Sequence, residues 1–370
     1  MGTGNVIANI ISSVFWIFLG TLLGVEHYGE LSYDIALASI AAIIANFGIG
    51  STIIIYTAKG VKVNSTLYLI SITSGVLTSV ILYFLVSKPG VSLYVIGYIF
   101  FSLITGEMLG MKRYGTFSKF LIIQRILVII FSLGLYYIIG PTGVLLGFAL
   151  SFFPFSFKIY HRFKKSEIDF RLLKPRLGFM ISNYALELSR TFSGSTDKLI
   201  IYPIFGFAFL GNYQLGVQVL GMLSLLPSIV YQYILPHDAS GTGSQKLKHV
   251  TIISSVGLAI LGIVLAPTII PYMFPKFKDA VLVVQIMSLA TIPLTINLMY
   301  ISKFLGLEKN KIVLIGSVVY LTVLVLSIVF LGKSYYINGV AASPVLAAAS
   351  ETTYLLTITK IIQGKKNTVQ

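Results

Sequence analysis

The sequence predicts an all-α polytopic membrane protein of about twelve transmembrane helices, in two six-helix bundles related by a parallel repeat around a central cavity. Three observations predict it. The 370 residues are 56% hydrophobic and 11% charged, with a mean hydropathy of +0.90, whereas a soluble domain carries roughly 25% charged residues. Apolar segments long enough to cross a hydrocarbon core, about 20 residues each, recur from Val6 to Ile362. Short patterns in the first half return in the second half in the same order.

The spans fall near residues 4–24, 31–57, 66–86, 91–111, 117–138 and 143–160, and then near 178–203, 207–235, 249–270, 280–302, 312–332 and 337–361. The first lacks a basic segment before it and a clear small-residue cleavage site after it, so it reads as a retained helix rather than a signal peptide. The tightest turns are Ile139–Thr142 and Ile204–Gly206. Residues 1–165 form the N-terminal bundle, 166–177 a basic cytoplasmic linker and 178–370 the C-terminal bundle. Connections this short leave no room for a soluble catalytic domain.

A net charge of +15 would point to nucleic acid in a soluble protein. Here the cations sit in loops. Alternate connections and the C-terminus carry 20 Lys and Arg, the opposite connections only Lys88, Lys276, Lys278 and Lys333. By the positive-inside bias, both termini are cytoplasmic in a multi-pass protein of the cell membrane, and no nucleic-acid partner is expected. The most basic connection, Lys158 to Arg176, reads as the linker between the halves, with a lipid-headgroup site as the alternative.

There is no cysteine, which removes disulfides, thiolate metal sites and cysteine nucleophiles. His27, His161, His237 and His249 are scattered in loops or at span edges, and no Walker-type loop is present. No metal, cofactor or catalytic residue is therefore expected.

The repeat is carried by three matches. Tyr28-Gly29-Glu30-Leu31 opens the second span, and Leu210-Gly211-Asn212-Tyr213 opens the eighth. Gly106 to Arg113 ends the fourth span as Ser302 to Lys309 ends the tenth. Gly143-Val144 opens the sixth and Gly339-Val340 the twelfth. The offsets are 182, 196 and 196 residues. Six spans per half is an even number, so both halves insert in the same orientation, and a substrate path is expected between them.

Polar residues within spans must face protein or water, because lipid offers no hydrogen bonds. On the seventh span Asn183, Glu187, Arg190, Asp197 and Lys198 share a face, with Gly194 among them. Asn5, Asn9, Ser12, Ser13 and Trp16 do so on the first, and Gln214, Gln218, Ser228 and Gln232 on the eighth. These stripes either line a cavity or knit helices together. Arg190, near the bilayer centre, is either a ligand contact or the partner of Glu187 or Asp197. Arg125 either snorkels to the interface or stands at the inner mouth near Glu107. Glu351 is either the partner of an arginine or a proton-coupling carboxylate, and Asp197 with Lys198 an interfacial ion pair. Glu187, Asp197, Glu351 and Glu107 are thus the candidates for ion pairing or for proton or sodium coupling.

Leu23-Gly24-Val25-Glu26-His27-Tyr28-Gly29, followed by Ala45-Asn46-Phe47-Gly48-Ile49-Gly50, resembles the entry to the polysaccharide flippases. These are lipid-linked oligosaccharide translocases of the multidrug/oligosaccharidyl-lipid/polysaccharide exporter superfamily. Gln124-Arg125-Ile126-Leu127, Asp197-Lys198-Leu199-Ile200-Ile201, Leu210-Gly211-Asn212-Tyr213 and Leu235-Pro236 extend the likeness along the chain. The resemblance implies export of a polyprenol-diphosphate-linked glycan by alternating access, with glycan assembly enzymes and membrane lipids as partners. It makes Arg190 and Arg125 the diphosphate contacts, and Asn5, Asn9, Gln214 and Gln218, with Asn183 beside them, the polar cavity residues. A guanidinium fork matches phosphate oxygens, and low dielectric strengthens the pairing. The rival reading is a cation-coupled multidrug exporter of the same superfamily. A membrane-embedded glycosyltransferase is a third, weakened by the short outer loops, whose main acidic cluster is Glu26, Glu30 and Asp34.

Overall fold

The computed structural model describes residues 2–61, 63–163 and 168–367, and within its helices the side chains of residues 2–3, 160–163, Leu186, Arg190 and 363–367 lie outside that description. Helices account for the secondary structure of the described residues. The chain forms two compact units: unit 1 comprises 1–15 and 33–195, and unit 2 comprises 16–32 and 196–370.

Unit 1 holds both ends of α1 (Gly2–Asn46), then α2 (Ile49–Ala58), α3 (Asn64–Val86), α4 (Pro89–Gly110), α5 (Tyr114–Ile139), α6 (Thr142–Leu150), α7 (Ser156–Phe163) and most of α8 (Leu177–Phe205). Its centre is α4, which packs on α2, α3 and α6. Two-thirds of the most apolar stretch of α4 is buried. Glycines permit this: Gly97 lets the Ala149 carbonyl approach, and Gly106 and Gly110 admit the backbone of α2. Pro89 starts α4 at a position whose N–H needs no helical partner.

Unit 2 holds the middle of α1, the end of α8, and α9 (Phe207–Leu223), α10 (Leu225–Ala239), α11 (Gln245–Met273), α12 (Ala280–Ser288), α13 (Thr291–Gly306) and α14 (Asn310–Asn367). The middle of α1 crosses α9 at glycines: a Cβ on Gly29 would strike the Phe207 carbonyl, and one on Gly211 the Val25 carbonyl. Tyr28, fully buried, stands edge-on to Phe277 at 5.8 Å and to Trp16 at 5.7 Å.

The repeat read from sequence reappears in backbone geometry. Gly24 (φ 74°, ψ 179°) within α1 matches Gly206 (φ 85°, ψ 175°) before α9, at the 182-residue offset. Lys112 and Glu308, 196 residues apart, both take φ 59° in the turns after α4 and α13. Gly140 (φ 78°, ψ −157°) corresponds at the same offset to Tyr336 (φ 51°, ψ −134°), where α14 breaks. Just beyond, Gly143 packs on the Leu135 carbonyl and Gly339 on the Leu331 carbonyl.

Several expected spans are interrupted. The stretch 31–57 breaks at Phe47–Gly48, where φ is positive at both residues. The stretches 143–160, 207–235 and 280–302 break before or at Pro154, Pro227 and Pro293, respectively. Proline has no N–H to continue a preceding helix but suits a first turn. The α9–α10 pair bends by 47°. Conversely, α1 and α14, at 45 and 58 residues, each merge two expected spans across the breaks at Gly24 and Tyr336.

Among the described residues, eight helices are long and apolar enough to cross a bilayer, or nine with the bent pair. Their outer faces are apolar and exposed: Leu77 63%, Phe84 78%, Ile138 76% and Ile253 70%. Water would not tolerate so much contiguous apolar surface, and lipid requires it. The chain is a multi-pass membrane protein. The seventh expected span, α8, fails the composition test because of the polar stripe it carries.

Candidate substrate-binding and coupling sites

Unit 1 builds its polar interior at the break between α1 and α2. The turn at Phe47–Gly48 leaves the first N–H groups of α2 without helical partners. Glu187 of α8 fills that position, accepting from the Ser51 N–H at 3.3 Å and from the Ser51 hydroxyl. A carboxylate there also meets the positive end of the helix dipole, worth about 0.3–1 kcal/mol. The approach needs Gly48, because a Cβ would lie 2.9 Å from the Tyr184 backbone. The Tyr184 hydroxyl donates to the Ile44 carbonyl at 3.2 Å, holding α8 to the end of α1. Asn46, beside the break, accepts from Ser71 at 3.2 Å and donates to Ser102 at 3.5 Å.

Arg125 stands at the middle of the 26-residue α5, about 17 Å from its start at 1.5 Å per residue. Its neighbour Gln124 is buried and donates to Ser151 at 3.0 Å, which anchors α5 on the end of α6. Arg125 itself lies within electrostatic reach of Tyr94 on α4, and Tyr94 shares a hydrogen bond with Ser39 on α1. Tyr98, one turn along, stacks parallel to Tyr94 with centroids 6.2 Å apart. Tyr98 in turn feels the charge of Glu187. The Arg125 Nε is buried and has no hydrogen-bond partner among the described residues. Glu107, 3% exposed, is held by the Tyr68 hydroxyl at 2.9 Å and the Asn64 amide at 3.5 Å.

In unit 2, Asp197 and Lys198 pair at 3.1 Å, and the Tyr213 hydroxyl donates to Asp197 at 2.9 Å. Both are buried within the unit, at 6% and 9% exposure. Glu351 accepts from the Asn297 amide at 2.9 Å, and Thr352 donates to the same Asn297 at 2.6 Å. Gln214 is buried with its Oε1 unpartnered among the described residues, and Gln218 is half-buried. Asp238 pairs with Lys248 at 2.7 Å and accepts from Ser302 at 2.6 Å, tying α10, α11 and α13. Among the described residues no three His, Cys, Asp or Glu side chains gather as a metal site.

Residues 1–88 match the family described as polysaccharide biosynthesis protein. No curated protein matches the chain significantly. The lipid II flippase MurJ, in an inward closed conformation, aligns at 15% identity with a TM-score of 0.72, covering 96% of this chain and 87% of that one. An inward-facing multidrug resistance MATE family transporter of the MOP superfamily aligns at 14% identity, TM-score 0.67, over 97% and 96% of the two chains. A mutant of the Vibrio cholerae MATE transporter VcmN aligns at 12% identity, TM-score 0.62, over 98% and 95%. The chain shares its fold with these three proteins.

Within this fold the expected stripes are only partly assembled. The seventh-span stripe divides: Asn183 and Glu187 belong to unit 1, Asp197 and Lys198 to unit 2. Asn183 donates to its own helix, at the Phe179 carbonyl (3.0 Å). Asn5 is half-buried and Asn9 exposed in unit 1. The Arg190 side chain lies outside the described set. Of the acidic outer cluster, Asp34 is taken by Lys88 at 2.8 Å, while Glu30 meets His27 at 3.3 Å. Sequence reasoning missed Ser51, Tyr94, Tyr98 and the Asp238–Lys248 pair. The spacing of Tyr94 and Tyr98 at i, i+4 was a usable signal, since it puts both on one face of α4 beside the intramembrane arginine.

Proposed function

We propose that this protein is a flippase that moves a polyprenol-diphosphate-linked oligosaccharide from the cytoplasmic to the outer leaflet of the cell membrane by alternating access. In this reading the chain makes twelve crossings, with both termini cytoplasmic, and catalyses no covalent step. The observation that carries the reading is Arg125: a guanidinium at mid-span whose buried Nε–H has no partner among the described residues. A buried donor left unpaired costs about 1–3 kcal/mol, and a diphosphate oxygen would recover it as a charge-assisted bond. Glu187 does not compete for that role, because the start of α2 already takes its charge. The match of residues 1–88 to polysaccharide biosynthesis proteins and the likeness to a lipid II flippase support the substrate class. Arg190 is the second proposed diphosphate contact. Asn5, Asn9, Asn183, Gln214 and Gln218 are proposed to meet sugar hydroxyls, and glycan assembly enzymes to supply the substrate.

The test is translocation of a fluorescent lipid-linked oligosaccharide in proteoliposomes of known orientation. The wild type should flip it, and Arg125→Ala should slow flipping about tenfold or more, the loss of one charge-assisted bond, in protein that still elutes as a folded monodisperse species. Absence of wild-type flipping across a panel of lipid-linked glycans would end the proposal.

A second reading, a cation-coupled multidrug exporter, is favoured by one observation. Glu351 is 6% exposed, and its hydrogen-bond partner among the described residues is an amide rather than a cation. Such a carboxylate can take up a proton or sodium ion in a transport cycle. Drug resistance conferred by expression and lost in Glu351→Gln would favour this reading.

A further inference from the structure

Unit 1 carries a second polar feature, at the end of α4 and α5 that bears basic loops. After α4 the chain turns through Lys112 at φ 59°, with the Lys112 N–H on the Leu109 carbonyl and the Arg113 N–H on the Met108 carbonyl, both at 2.9 Å. That turn puts Arg113 at the N-cap of α5, which has no side-chain cap and no acidic residue in its first turn. The N–H groups opening α5 are therefore open to an anion, and the helix dipole favours one. From the other side α7 brings Lys158, whose Nζ is fixed 3.8 Å above the Phe120 ring of α5.

Arg113, Thr116 and Lys158 line one cavity of about 320 Å³. Its floor is apolar, Ile104 and Met108, and Phe157 stands at its rim, 69% exposed. Glu107 also borders it, but its carboxylate is engaged by Tyr68 and Asn64. Two cations against one such carboxylate leave the walls net positive. The same turn recurs after α13, where Glu308 takes φ 59°, the Lys309 N–H meets the Phe304 carbonyl at 2.9 Å, and Lys309, Asn310 and Lys311 line a more open crevice.

We propose that the cavity of Arg113, Thr116 and Lys158 binds the phosphodiester headgroup of an anionic phospholipid from the leaflet on that side, independently of the transported substrate. The Arg113 fork and the Lys158 ammonium would grip the phosphate, with the Thr116 hydroxyl and the opening N–H groups of α5 on its remaining oxygens. The acyl chains would run down the exposed face of Phe157. A soluble phosphate offers the same oxygens but nothing for Phe157 and the apolar floor.

The experiment is native mass spectrometry of the intact detergent-solubilised protein, titrated with short-chain phosphatidylglycerol, short-chain phosphatidylcholine or inorganic phosphate. Phosphatidylglycerol should bind about tenfold more tightly than phosphatidylcholine. Arg113→Ala with Lys158→Ala should erase that preference, while Arg113→Lys with Lys158→Arg, which keeps the charge, should retain most of it. Equal binding of the two lipids, an undiminished preference in the double alanine variant, or its loss only in Lys309→Ala with Lys311→Ala would each overturn the assignment. So would inorganic phosphate that displaces phosphatidylglycerol at equal concentration, because the ligand would then be the free ion.

Discussion

Replacing Gly29 by alanine would put a methyl group on the carbonyl oxygen of Phe207, and the same change at Gly211 would put one on the carbonyl of Val25. Both obstacles are backbone atoms inside helices, so neither can rotate aside, and the crossing of α1 over α9 must open before a Cβ fits. Overpacking of this kind costs about 1–3 kcal/mol, against which alanine returns up to about 1 kcal/mol of helix propensity. With a backbone oxygen far closer than 3.0 Å to each added Cβ, the overpacking cost falls in the upper half of its range, about 2–3 kcal/mol, and the expected net loss is about 1–2 kcal/mol for each variant. The two contacts lie on one crossing, so the first methyl already makes room for the second. The double variant should therefore lose about as much as either single, a coupling of about 1 kcal/mol or more. Gly134 and Gly221 have nothing within 4 Å of an added Cβ, and alanine there should stabilise by up to about 1 kcal/mol. Reversible unfolding in mixed dodecyl maltoside and SDS micelles measures all five. Additive losses at Gly29 and Gly211, or losses no larger than those at Gly134 and Gly221, would refute the close crossing.

Tyr336→Gly should stabilise, because the residue holds φ 51° where its counterpart Gly140 holds φ 78° at no steric cost; Gly140→Tyr should destabilise by about 1–3 kcal/mol, both read by the same unfolding assay. Glu187→Leu should cost about 1–3 kcal/mol by stripping the Ser51 N–H and hydroxyl of their acceptor, whereas Glu187→Gln keeps an acceptor oxygen and should lose only the dipole contribution, about 0.3–1 kcal/mol. Glu351→Gln should likewise leave stability within about 1 kcal/mol, since the Asn297 amide still finds an oxygen, while Asn297→Leu should cost about 1–3 kcal/mol by removing the amide donor of Glu351, Thr352 keeping the Ala348 carbonyl.

The fold was legible because membrane crossing imposes a length and composition that short sequence windows reveal. The turns at Gly140 and Gly206 and the glycine matches between halves followed from the same reading. Continuity was not legible. The break at Phe47–Gly48 sits in an apolar run, and only the docking of Tyr184 and Glu187, far along the chain on α8, gives it a reason. Helical spacing found the polar faces but not their partners. It could show Glu351 facing inward, yet not that the Asn297 amide meets it. Spacing could not show that Arg125 lies within electrostatic reach of Tyr94 on α4.

What the two halves share and what they do not divide scaffold from chemistry. Gly29 with Gly211, Gly24 with Gly206, Gly143 with Gly339 and Gly110 with Gly306 keep the same local packing or conformation at offsets of 182 or 196 residues. At those positions a side chain is excluded by backbone or by φ, so both halves need glycine for the same reason. The charged positions differ. Glu107 corresponds to Lys303 across the repeat and Lys112 to Glu308, whereas Arg113 with Lys309 keeps its sign. Thr57 bonds Asn64 where the backbone of Asp238–Ala239 takes the equivalent place, and there Asp238 holds Lys248. A symmetric scaffold with asymmetric charge fits the proposed flipping of an asymmetric, anionic substrate. Under that proposal the guanidinium that meets the phosphate need stand in only one half. At the 196-residue offset the counterpart of Arg125 is Leu321, a half-buried leucine of α14 with no charge to offer. If that division holds, a cation at Leu321 cannot take over from Arg125. Arg125→Leu combined with Leu321→Arg should then fail to restore flipping, and recovery of more than about a tenth of wild-type rate, the residue left by losing one charge-assisted bond, would show that the two halves are interchangeable in chemistry as well as in shape.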